Sequence, residues 1–347
     1  MSIVFLISDL KNSGGTQRML CFLCNILIEE FEINILVSRK GESFFNLDSR
    51  VKIVYLQNKK LSHFYRNLKI YNVLKNSKAK YYINLDSNSL LLNSLFIPRF
   101  TKVILWEHFS LSTNFKKLLF TISRHYSVFR CNKLVLLSND EIQAWGAYNY
   151  LSKRKSKLIY NPVSANVKNI YKFNKRHFKT FLAVGNNIEV KGFDILLKAW
   201  QLAKTEWKLK IVGLDEYQIS KLSLLIKERN LQNIELYSKV KNIDYFYKSS
   251  SVFLLPSRKE ATPLVLIESQ AYGLPGVVFN HLPSVLELVD DSSLIVNFND
   301  QEQAFSDAIK LIANDSYLYE RLHMAALKNV EKFSLENFKQ NWLKILD

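Results

Sequence analysis

Hydrophobic residues follow two alternating patterns along most of the chain. Short runs of consecutive apolar residues are separated by longer segments whose apolar residues recur at helical spacing. The runs are typical of buried strands, and the spaced segments are typical of amphipathic helices. In the first half, these patterns predict strands at 3–8, 32–38, 51–56, 81–85, 102–106 and 134–138, and helices at 16–30, 61–76 and 114–128.

The alternation stops near residue 160 and then resumes. Asn161 and Pro162 form a turn signal, and residues 166–179 are polar and basic without clear periodicity. We therefore place a linker at about 160–180. The second series predicts strands at 180–184, 208–212, 234–237, 252–255 and 276–279, and helices at 193–204, 219–229 and 264–272.

This organisation defines the fold class. Strands that alternate with helices imply parallel βαβ units, and two such series predict an α/β protein with two Rossmann-like, doubly wound sheets and a cleft between them. The expected domains are 1–165 and 166–330, with a C-terminal helix at 331–347 that could cross back to the first domain. Ligands of such sheets bind outside the carboxyl ends of the strands.

Composition narrows the class of protein. A chain of 347 residues that is 48% hydrophobic can bury two cores. Cys21 and Cys24 form a C-x-x-C without a second pair, which favours buried thiols in a reducing cytoplasm over a zinc site. The apolar run 3–7 is short and lacks a basic flank, and no long uncharged apolar window exists, so we expect neither a signal peptide nor a membrane span.

The net charge of +17 is unevenly distributed. Residues 1–165 hold 24 Lys and Arg against 10 Asp and Glu, whereas residues 166–347 hold 24 against 21. This asymmetry suggests that the first domain faces an anionic partner: nucleic acid, anionic lipid or a phosphorylated substrate. The alternative is a solvated basic surface that only aids solubility.

The segment 257–268 carries the strongest chemical signal. Glu260 lies in the loop after the predicted strand 252–255, and Glu268 lies inside the next helix. One carboxylate can accept hydrogen bonds from both hydroxyls of a ribose, a role that suits Glu268, while Glu260 can reach sugar hydroxyls. Two solvated glutamates are the alternative, which is weakened because an idle carboxylate among the apolar neighbours of Glu268 would be costly.

Backbone amides in the same segment could bind an anion. Pro263 fits the first turn of the helix, where its missing N–H costs nothing. The free amides between Thr262 and Val265, including that of Leu264, could then hold a diphosphate with the help of the helix dipole.

Two glycine-containing turns offer further anion sites. Gly14 and Gly15 precede a helix, where the backbone can approach a ligand closely. Lys191 ends a loop that starts at Gly185, and its ammonium can meet a phosphate. A plain tight turn and a surface lysine are the respective alternatives.

These segments together resemble the retaining glycosyltransferases of family 4, which have the two-domain GT-B fold. Glu260 and Glu268 match the family's E-x7-E motif. Residues 14–18 resemble its G-G-x-x-R loop, residues 184–194 its phosphate loop and residues 160–163 the pattern before its linker. The likeness covers nearly the whole chain and is strongest over 180–280.

The resemblance implies a nucleotide-diphosphate sugar donor, with UDP favoured over GDP. Glu260 and His108 would be the catalytic residues, and Glu107 is a rival for the role of His108. No cofactor and no metal would be needed, because the leaving diphosphate would be neutralised by a lysine and helix amides. The implied donor-binding residues are Gly15, Asn186, Lys191, Thr262, Pro263, Leu264 and Glu268.

The sequence also departs from the family pattern. Asn186 stands where the family usually carries an arginine, so one cation is missing. Arg18 or Arg258 could compensate for it. Ala261 replaces the glycine that usually follows the first glutamate, and 213–215 replaces a G-x-G turn.

The resemblance further implies an acceptor that is a saccharide or a lipid-linked sugar at the inner face of the cell membrane. The basic amphipathic stretch 114–130 suits an anionic membrane surface, which Lys116, Lys117 and Arg124 would contact. A helix that packs on the sheet with charged rims is the alternative. We therefore expect a cytoplasmic protein that is peripheral to the membrane.

The resemblance thus implies a retaining, metal-independent hexosyltransferase. It would move a hexose or N-acetylhexosamine to its acceptor in the assembly of a bacterial surface polysaccharide such as lipopolysaccharide or capsule. One alternative is a sugar-nucleotide epimerase or hydrolase on a similar fold. A second is a nucleic-acid-binding protein, which is disfavoured because no such motif is present. A third is a degenerate scaffold protein, motivated by Asn186.

Overall fold

The computed structural model describes residues 1–56, 63–111, 118–163 and 176–347, except for the side chains of residues 63 and 119. The chain forms two compact units. One comprises Met1–Asn161 together with Leu335–Asp347, and the other comprises Pro162–Ser334. The second unit is therefore inserted into the first. The sequence places these limits at 165 and 330.

All strands in the described residues belong to two sheets whose neighbouring strands are parallel. The first sheet has the order β3-β2-β1-β4-β5-β6-β7 and the second the order β10-β9-β8-β11-β12-β13. The strands are β1 Ser2–Ile7, β2 Glu32–Val37, β3 Lys52–Tyr55, β4 Ala79–Asn84, β5 Lys102–Trp106, β6 Lys133–Leu136, β7 Ser156–Leu158, β8 Thr180–Val184, β9 Lys208–Leu214, β10 Ile234–Ser238, β11 Val252–Leu255, β12 Gly276–Phe279 and β13 Ser293–Val296.

Helices connect these strands along the described chain. In the first unit they are α1 Gly15–Leu27, α2 His63–Asn76, α3 Ser87–Asn93, α4 Leu118–Arg130, α5 Asn139–Tyr148 and α6 Tyr150–Lys155. In the second unit they are α7 Ile188–Lys191, α8 Phe193–Ala203, α9 Glu216–Glu228, α10 Asp244–Lys248, α11 Leu264–Ala271, α12 Pro283–Val289, α13 Gln301–Asn314 and α14 Ser316–Asn329. The last helix, α15 Leu335–Leu346, returns to the first unit.

The predicted fold class is confirmed: the protein contains two α/β units built on parallel sheets. Every predicted strand is present. The prediction succeeded because a strand that is covered on both faces of a parallel sheet has a continuous apolar sequence, and β1, β8, β11 and β12 are buried along their whole length. The predicted helices at 61–76 and 114–128 appear as α2 and α4. Residues 61, 62 and 114–117 lie outside the described residues.

The C-terminal helix α15 completes the core of the first unit. Trp342 is fully buried and packs edge-on against Trp106 of β5, with ring centroids 4.9 Å apart. The Tyr81 hydroxyl donates a hydrogen bond to the Leu346 carbonyl oxygen at 2.6 Å, and Lys133 Nζ donates to the Ile345 carbonyl oxygen at 2.9 Å. These donors satisfy carbonyl groups that the end of a helix leaves without partners.

The strand order of each sheet reverses at one point. The reversal falls between β1 and β4 in the first sheet and between β8 and β11 in the second. Loops that leave adjacent strands in opposite directions open a crevice there, so these positions are the expected ligand sites of the two units. No described helix is both long enough and apolar enough to cross a bilayer.

Candidate functional site

Two loops meet at the reversal point of the second sheet. The loop after β8 leads into α7, whose first turn is capped by Asn187 through a hydrogen bond from the Val190 N–H at 2.9 Å. Gly192 ends this turn with φ of +66°, and a Cβ there would overlap the carbonyl oxygen of Pro256, in the loop after β11. Only glycine therefore permits the two backbones to lie this close.

The contact between the loops brings Lys191 and Glu260 together. Lys191 Nζ donates a hydrogen bond to Glu260 Oε1 at 2.6 Å, and Ser257 Oγ donates to the same oxygen at 2.7 Å. The Glu260 side chain is only 8% exposed, and that of Lys191 is 18% exposed. Two residues predicted separately to bind the donor thus form one charged pair.

A second ion pair holds the same two loops together. The Arg258 guanidinium forms a bidentate pair with the Asp194 carboxylate, with both N–O distances at 2.7 Å, and also donates to the Glu189 carbonyl oxygen at 2.8 Å. Partial burial of Asp194 raises its pKa, but the hydrogen bonds and charge of Arg258 lower that pKa overall. The guanidinium considered as a substitute for the cation missing at Asn186 is therefore bound to Asp194 in this structure.

Asn186 lies exposed at the start of the phosphate loop. Its backbone carbonyl oxygen accepts a hydrogen bond from Gln218 Nε2 at 2.7 Å. This contact connects the loop to α9, while the neighbouring residue Asn187, not Asn186, caps α7.

The N-terminus of α11 offers amide donors next to the charged pair. Helix α11 begins at Leu264, and no side chain of the described residues caps it. The Leu266 N–H donates to the Pro263 carbonyl oxygen at 3.1 Å, so the amides of Leu264 and Val265 are the first-turn donors that a ligand could bind. Pro263 occupies the N-cap with ψ of 102°, so its predicted place in the first turn is wrong by one position. Thr262 Oγ1 is buried and has no hydrogen-bond partner within the described chain.

Glu268 is buried within α11, with 6% of its surface exposed. Its Oε2 accepts a hydrogen bond from the Tyr247 hydroxyl of α10 at 2.9 Å. The carboxylate is therefore held by a specific donor and is not one of two solvated glutamates, because burial of an unpartnered carboxylate would be costly.

The reversal point of the first sheet contains a cavity of about 460 Å³. The ends of β1 and β4 and the start of α1 form its walls. Gly15 is the first residue of α1, and among the residues that the structure describes no side chain caps that helix. Arg66, Asp86 and Phe109 also line the cavity, and Arg66 donates a hydrogen bond to Ser38 Oγ at 3.1 Å.

His108 and Glu107 follow β5 in the first unit. The His108 ring lies against Trp106 with centroids 4.4 Å apart, and its Nε2 is buried without a hydrogen-bond partner in the described residues. Burial lowers the pKa of His108 to about 3, so the imidazole is neutral at physiological pH. The contact of His108 with a donor sugar stays a prediction, as does the rival role of Glu107.

Glu107 is a buried carboxyl group with a raised pKa. Burial raises its pKa to about 7, and the charge of Asp86 adds to the increase. The Phe109 N–H donates to Glu107 Oε1 at 3.2 Å and offsets part of this effect. The group therefore titrates near neutrality.

The predicted membrane contact of Arg124 is wrong. Arg124 is 4% exposed, and its guanidinium donates to the carbonyl oxygen of Leu111 at 2.7 Å. The alternative interpretation, a helix that packs on the unit, therefore holds for this residue. Lys116 and Lys117 lie outside the described residues.

Sequence reasoning missed four site residues. Asp194 stood inside the phosphate-loop pattern, and Asp86 follows a predicted strand, so both carried a recognisable signal. Tyr247 carried none, because its partner is distant in sequence. Arg66 was recognisable only as one residue of a basic stretch, and nothing local indicated that it lines the cavity.

Comparison with known proteins identifies relatives over the whole chain. The profile of the family "Glycosyl transferases group 1" matches residues 168–329. An uncharacterized glycosyltransferase of Haemophilus influenzae is 31% identical and is matched over 99% of each chain. A Campylobacter jejuni protein is 28% identical over 100% of this chain and 98% of its own length; its name is GalNAc-alpha-(1->4)-GalNAc-alpha-(1->3)-diNAcBac-PP-undecaprenol alpha-1,4-N-acetyl-D-galactosaminyltransferase.

Solved structures extend the comparison to the fold. The crystal structure of Anabaena Alr3699/HepE in complex with UDP aligns with a TM-score of 0.84 and 13% identity, over 100% of this chain and 99% of that chain. At this identity the likeness shows the shared GT-B fold alone.

The raised pKa of Glu107 predicts a pH-dependent stability. The folded protein holds the Glu107 carboxyl proton more tightly than the unfolded chain does. The stability that comes from this proton is therefore fully present below about pH 4.5 and is lost as the pH rises to about 7. Glu107→Gln should remove this loss, which amounts to roughly 3 kcal/mol. Urea unfolding followed by circular dichroism at pH 4.5 and at pH 8 measures the difference in the free energy of unfolding between the two pH values. The exposed Glu42→Gln serves as control; if both variants show the wild-type pH dependence, Glu107 is not the titrating group.

Proposed function

Because the chain belongs to the group 1 glycosyl transferase family, we propose that it moves a hexose or N-acetylhexosamine from a UDP-sugar to a lipid-linked saccharide. The setting would be assembly of a bacterial surface polysaccharide. The observation that carries the proposal is the Lys191–Glu260 pair beside the uncapped start of α11, with Glu268 buried in the same helix.

The second unit would bind the donor. Lys191 and the first amides of α11 would hold the diphosphate, since a cation and a helix N-terminus both stabilise negative charge. Glu268 would accept hydrogen bonds from the ribose, and Glu260 would bind sugar hydroxyls. The Anabaena protein HepE was crystallised in complex with UDP, which supports a uridine nucleotide for this chain.

Transfer would proceed without a divalent metal and with retention of the anomeric configuration. Lys191 and the α11 amides supply positive potential where negative charge develops on the leaving diphosphate. The start of α11, which no described side chain caps, supports this arrangement. Retention rests on the E-x7-E resemblance of Glu260 and Glu268.

The cavity of the first unit would bind the acceptor saccharide. Arg66 supplies donors and Asp86 supplies acceptors to sugar hydroxyls, and Phe109 offers an apolar surface to a sugar ring. The acceptor of the Campylobacter relative is a saccharide on PP-undecaprenol, which supports a lipid-linked acceptor for this chain.

A membrane surface is the partner that best fits the exterior of the first unit. Residues 63–106 contain 7 Lys and Arg but a single acidic residue, Asp86. Exposed apolar side chains occur on α2, α3 and α4 and just after α3. A hydrogen bond of 2.6 Å between the hydroxyls of Ser94, just after α3, and Tyr126, on α4, connects two of these segments. We call these exposed apolar side chains, together with the exposed basic residues of 63–106, the apolar–basic face; its apolar members are Phe64, Tyr65, Leu92, Leu95, Phe100, Leu118, Ile122 and Phe129. Apolar and basic groups together favour anionic lipid.

Calorimetric titration with UDP, GDP and their sugars tests the donor site. Glu268→Ala should weaken UDP binding about tenfold or more, because the ribose loses a charged acceptor. Glu260→Ala should not weaken binding of free UDP and should tighten it, because loss of the carboxylate frees Lys191 for the diphosphate. The same variant should strongly reduce sugar transfer. The exposed Glu228→Ala is the control. Wild-type transfer by both site variants would refute the assignment.

Analysis of the product tests the reaction itself. Proton NMR should show a new glycosidic bond with the anomeric configuration of the donor, and the rate should stay unchanged in EDTA because Lys191 and amides carry the charge stabilisation. Free sugar released without acceptor would instead indicate a hydrolase, and an inverted product or EDTA-sensitive transfer would contradict the mechanism.

Vesicle flotation tests the membrane surface. The protein should float with phosphatidylglycerol vesicles and much less with phosphatidylcholine vesicles, because the face is basic. Replacing Leu95 and Phe100 together by glutamate should reduce the bound fraction about tenfold. Leu224→Glu, at an exposed leucine of the second unit, is the matched control. Equal flotation of both variants would exclude the apolar–basic face as the lipid contact.

A further inference from the structure

One hydrogen bond in the second unit connects a buried tyrosine to the carboxylate that would hold the ribose. Tyr247 is 1% exposed, and its hydroxyl lies 2.9 Å from Glu268 Oε2. The two residues lie on different helices, α10 and α11. The Val265 carbonyl oxygen is a more distant acceptor for the same hydroxyl, at 3.4 Å. A tyrosine has one proton to donate, and the nearer, charged oxygen is the stronger acceptor.

The aromatic ring of Tyr247 is itself fixed. It stacks on Tyr272 with centroids 5.3 Å apart and an angle of 19° between the ring planes. Phe253 of β11 lies on a further side, with centroids 6.4 Å apart. The packing of the ring therefore fixes the position of the Tyr247 hydroxyl in the core, independently of Glu268.

The orientation of a glutamate carboxylate can be defined by a hydrogen-bond donor whose own position is fixed. The terminal torsion of glutamate has a broad energy minimum, so the carboxylate plane is poorly defined by the side chain alone. Recognition of a cis-diol, however, requires its oxygens to face two hydroxyls at once. A donor that holds Oε2 defines the plane and leaves the carboxylate able to accept further hydrogen bonds, because a carboxylate has about four acceptor positions.

We propose that Tyr247 is the positioning residue for ribose recognition: it orients the Glu268 carboxylate so that both ribose hydroxyls can bind. This inference rests on the proposed function of Glu268. Tyr247 does not contact the nucleotide; it acts through Glu268. The site should therefore distinguish a ribose nucleotide from a 2′-deoxyribose nucleotide only while the Tyr247 hydroxyl is present.

The experiment compares ribose and 2′-deoxyribose nucleotides. UDP, GDP, 2′-deoxy-UDP and 2′-deoxy-GDP are titrated calorimetrically into wild type, Tyr247→Phe and Glu268→Ala. In Tyr247→Phe the ring and its stacking remain, and only the hydroxyl is lost. The affinity for the preferred ribonucleotide should fall about tenfold, and that for its 2′-deoxy counterpart should change little. A structural role alone would lower both affinities equally.

Tyr319→Phe is the matched control. Tyr319 is a fully buried tyrosine of the same unit, and its hydroxyl donates to the Ser251 carbonyl oxygen at 3.2 Å instead of to Glu268. This variant loses a buried phenol hydrogen bond of the same kind. It should keep the wild-type ratio of ribonucleotide to deoxyribonucleotide affinity.

A double-mutant cycle tests whether Tyr247 acts through Glu268. If it does, Tyr247→Phe should have no further effect on the ratio in the Glu268→Ala background. Additive effects would overturn the proposal, as would a wild-type ratio in Tyr247→Phe. If Glu268→Ala loses ribonucleotide affinity but Tyr247→Phe does not, the positioning role of Tyr247 is refuted and the proposed donor site at Glu268 stands. If Glu268→Ala binds as wild type, or wild type binds none of the four, the proposed donor site fails as well.

Discussion

The close approach of Gly192 to the Pro256 carbonyl is the constraint on which the site of the second unit depends. It lets the loops that leave β8 and β11 touch, although these loops are far apart in sequence. The Arg258–Asp194 pair then holds them together, and Lys191 reaches Glu260 across the contact. A side chain at Gly192 would separate the backbones, so the geometry of both ion pairs depends on a missing Cβ.

Lys191 and Glu260 neutralise each other's charge within the protein. Glu260 neutralises Lys191, and Ser257 supports the same carboxylate oxygen. A nucleotide diphosphate would therefore compete with an internal carboxylate for the lysine. Such competition limits how tightly a bare nucleotide can be held, since part of its attraction to the cation replaces an existing ion pair.

The fold could be predicted further than the site. Fully buried parallel strands produce apolar runs that depend only on local sequence, so the first and second sheets were recognisable, whereas the three-residue strand β7 carries no such run. Glu260 and Glu268 were found because their spacing is local. The Tyr247–Glu268 bond depends on tertiary packing. Arg124 was misassigned because an amphipathic pattern identifies a helix but does not say whether a cation on it faces water or a carbonyl oxygen.

The return of α15 to the first unit has a consequence for synthesis. Trp342 packs against Trp106, and the Tyr81 hydroxyl donates to the Leu346 carbonyl oxygen, so these core contacts require residues that are translated after the whole second unit. The second unit, by contrast, is encoded without interruption. During translation the unit that emerges first is therefore the later one to complete its core, and until α15 has emerged it exposes the apolar surface that α15 will cover.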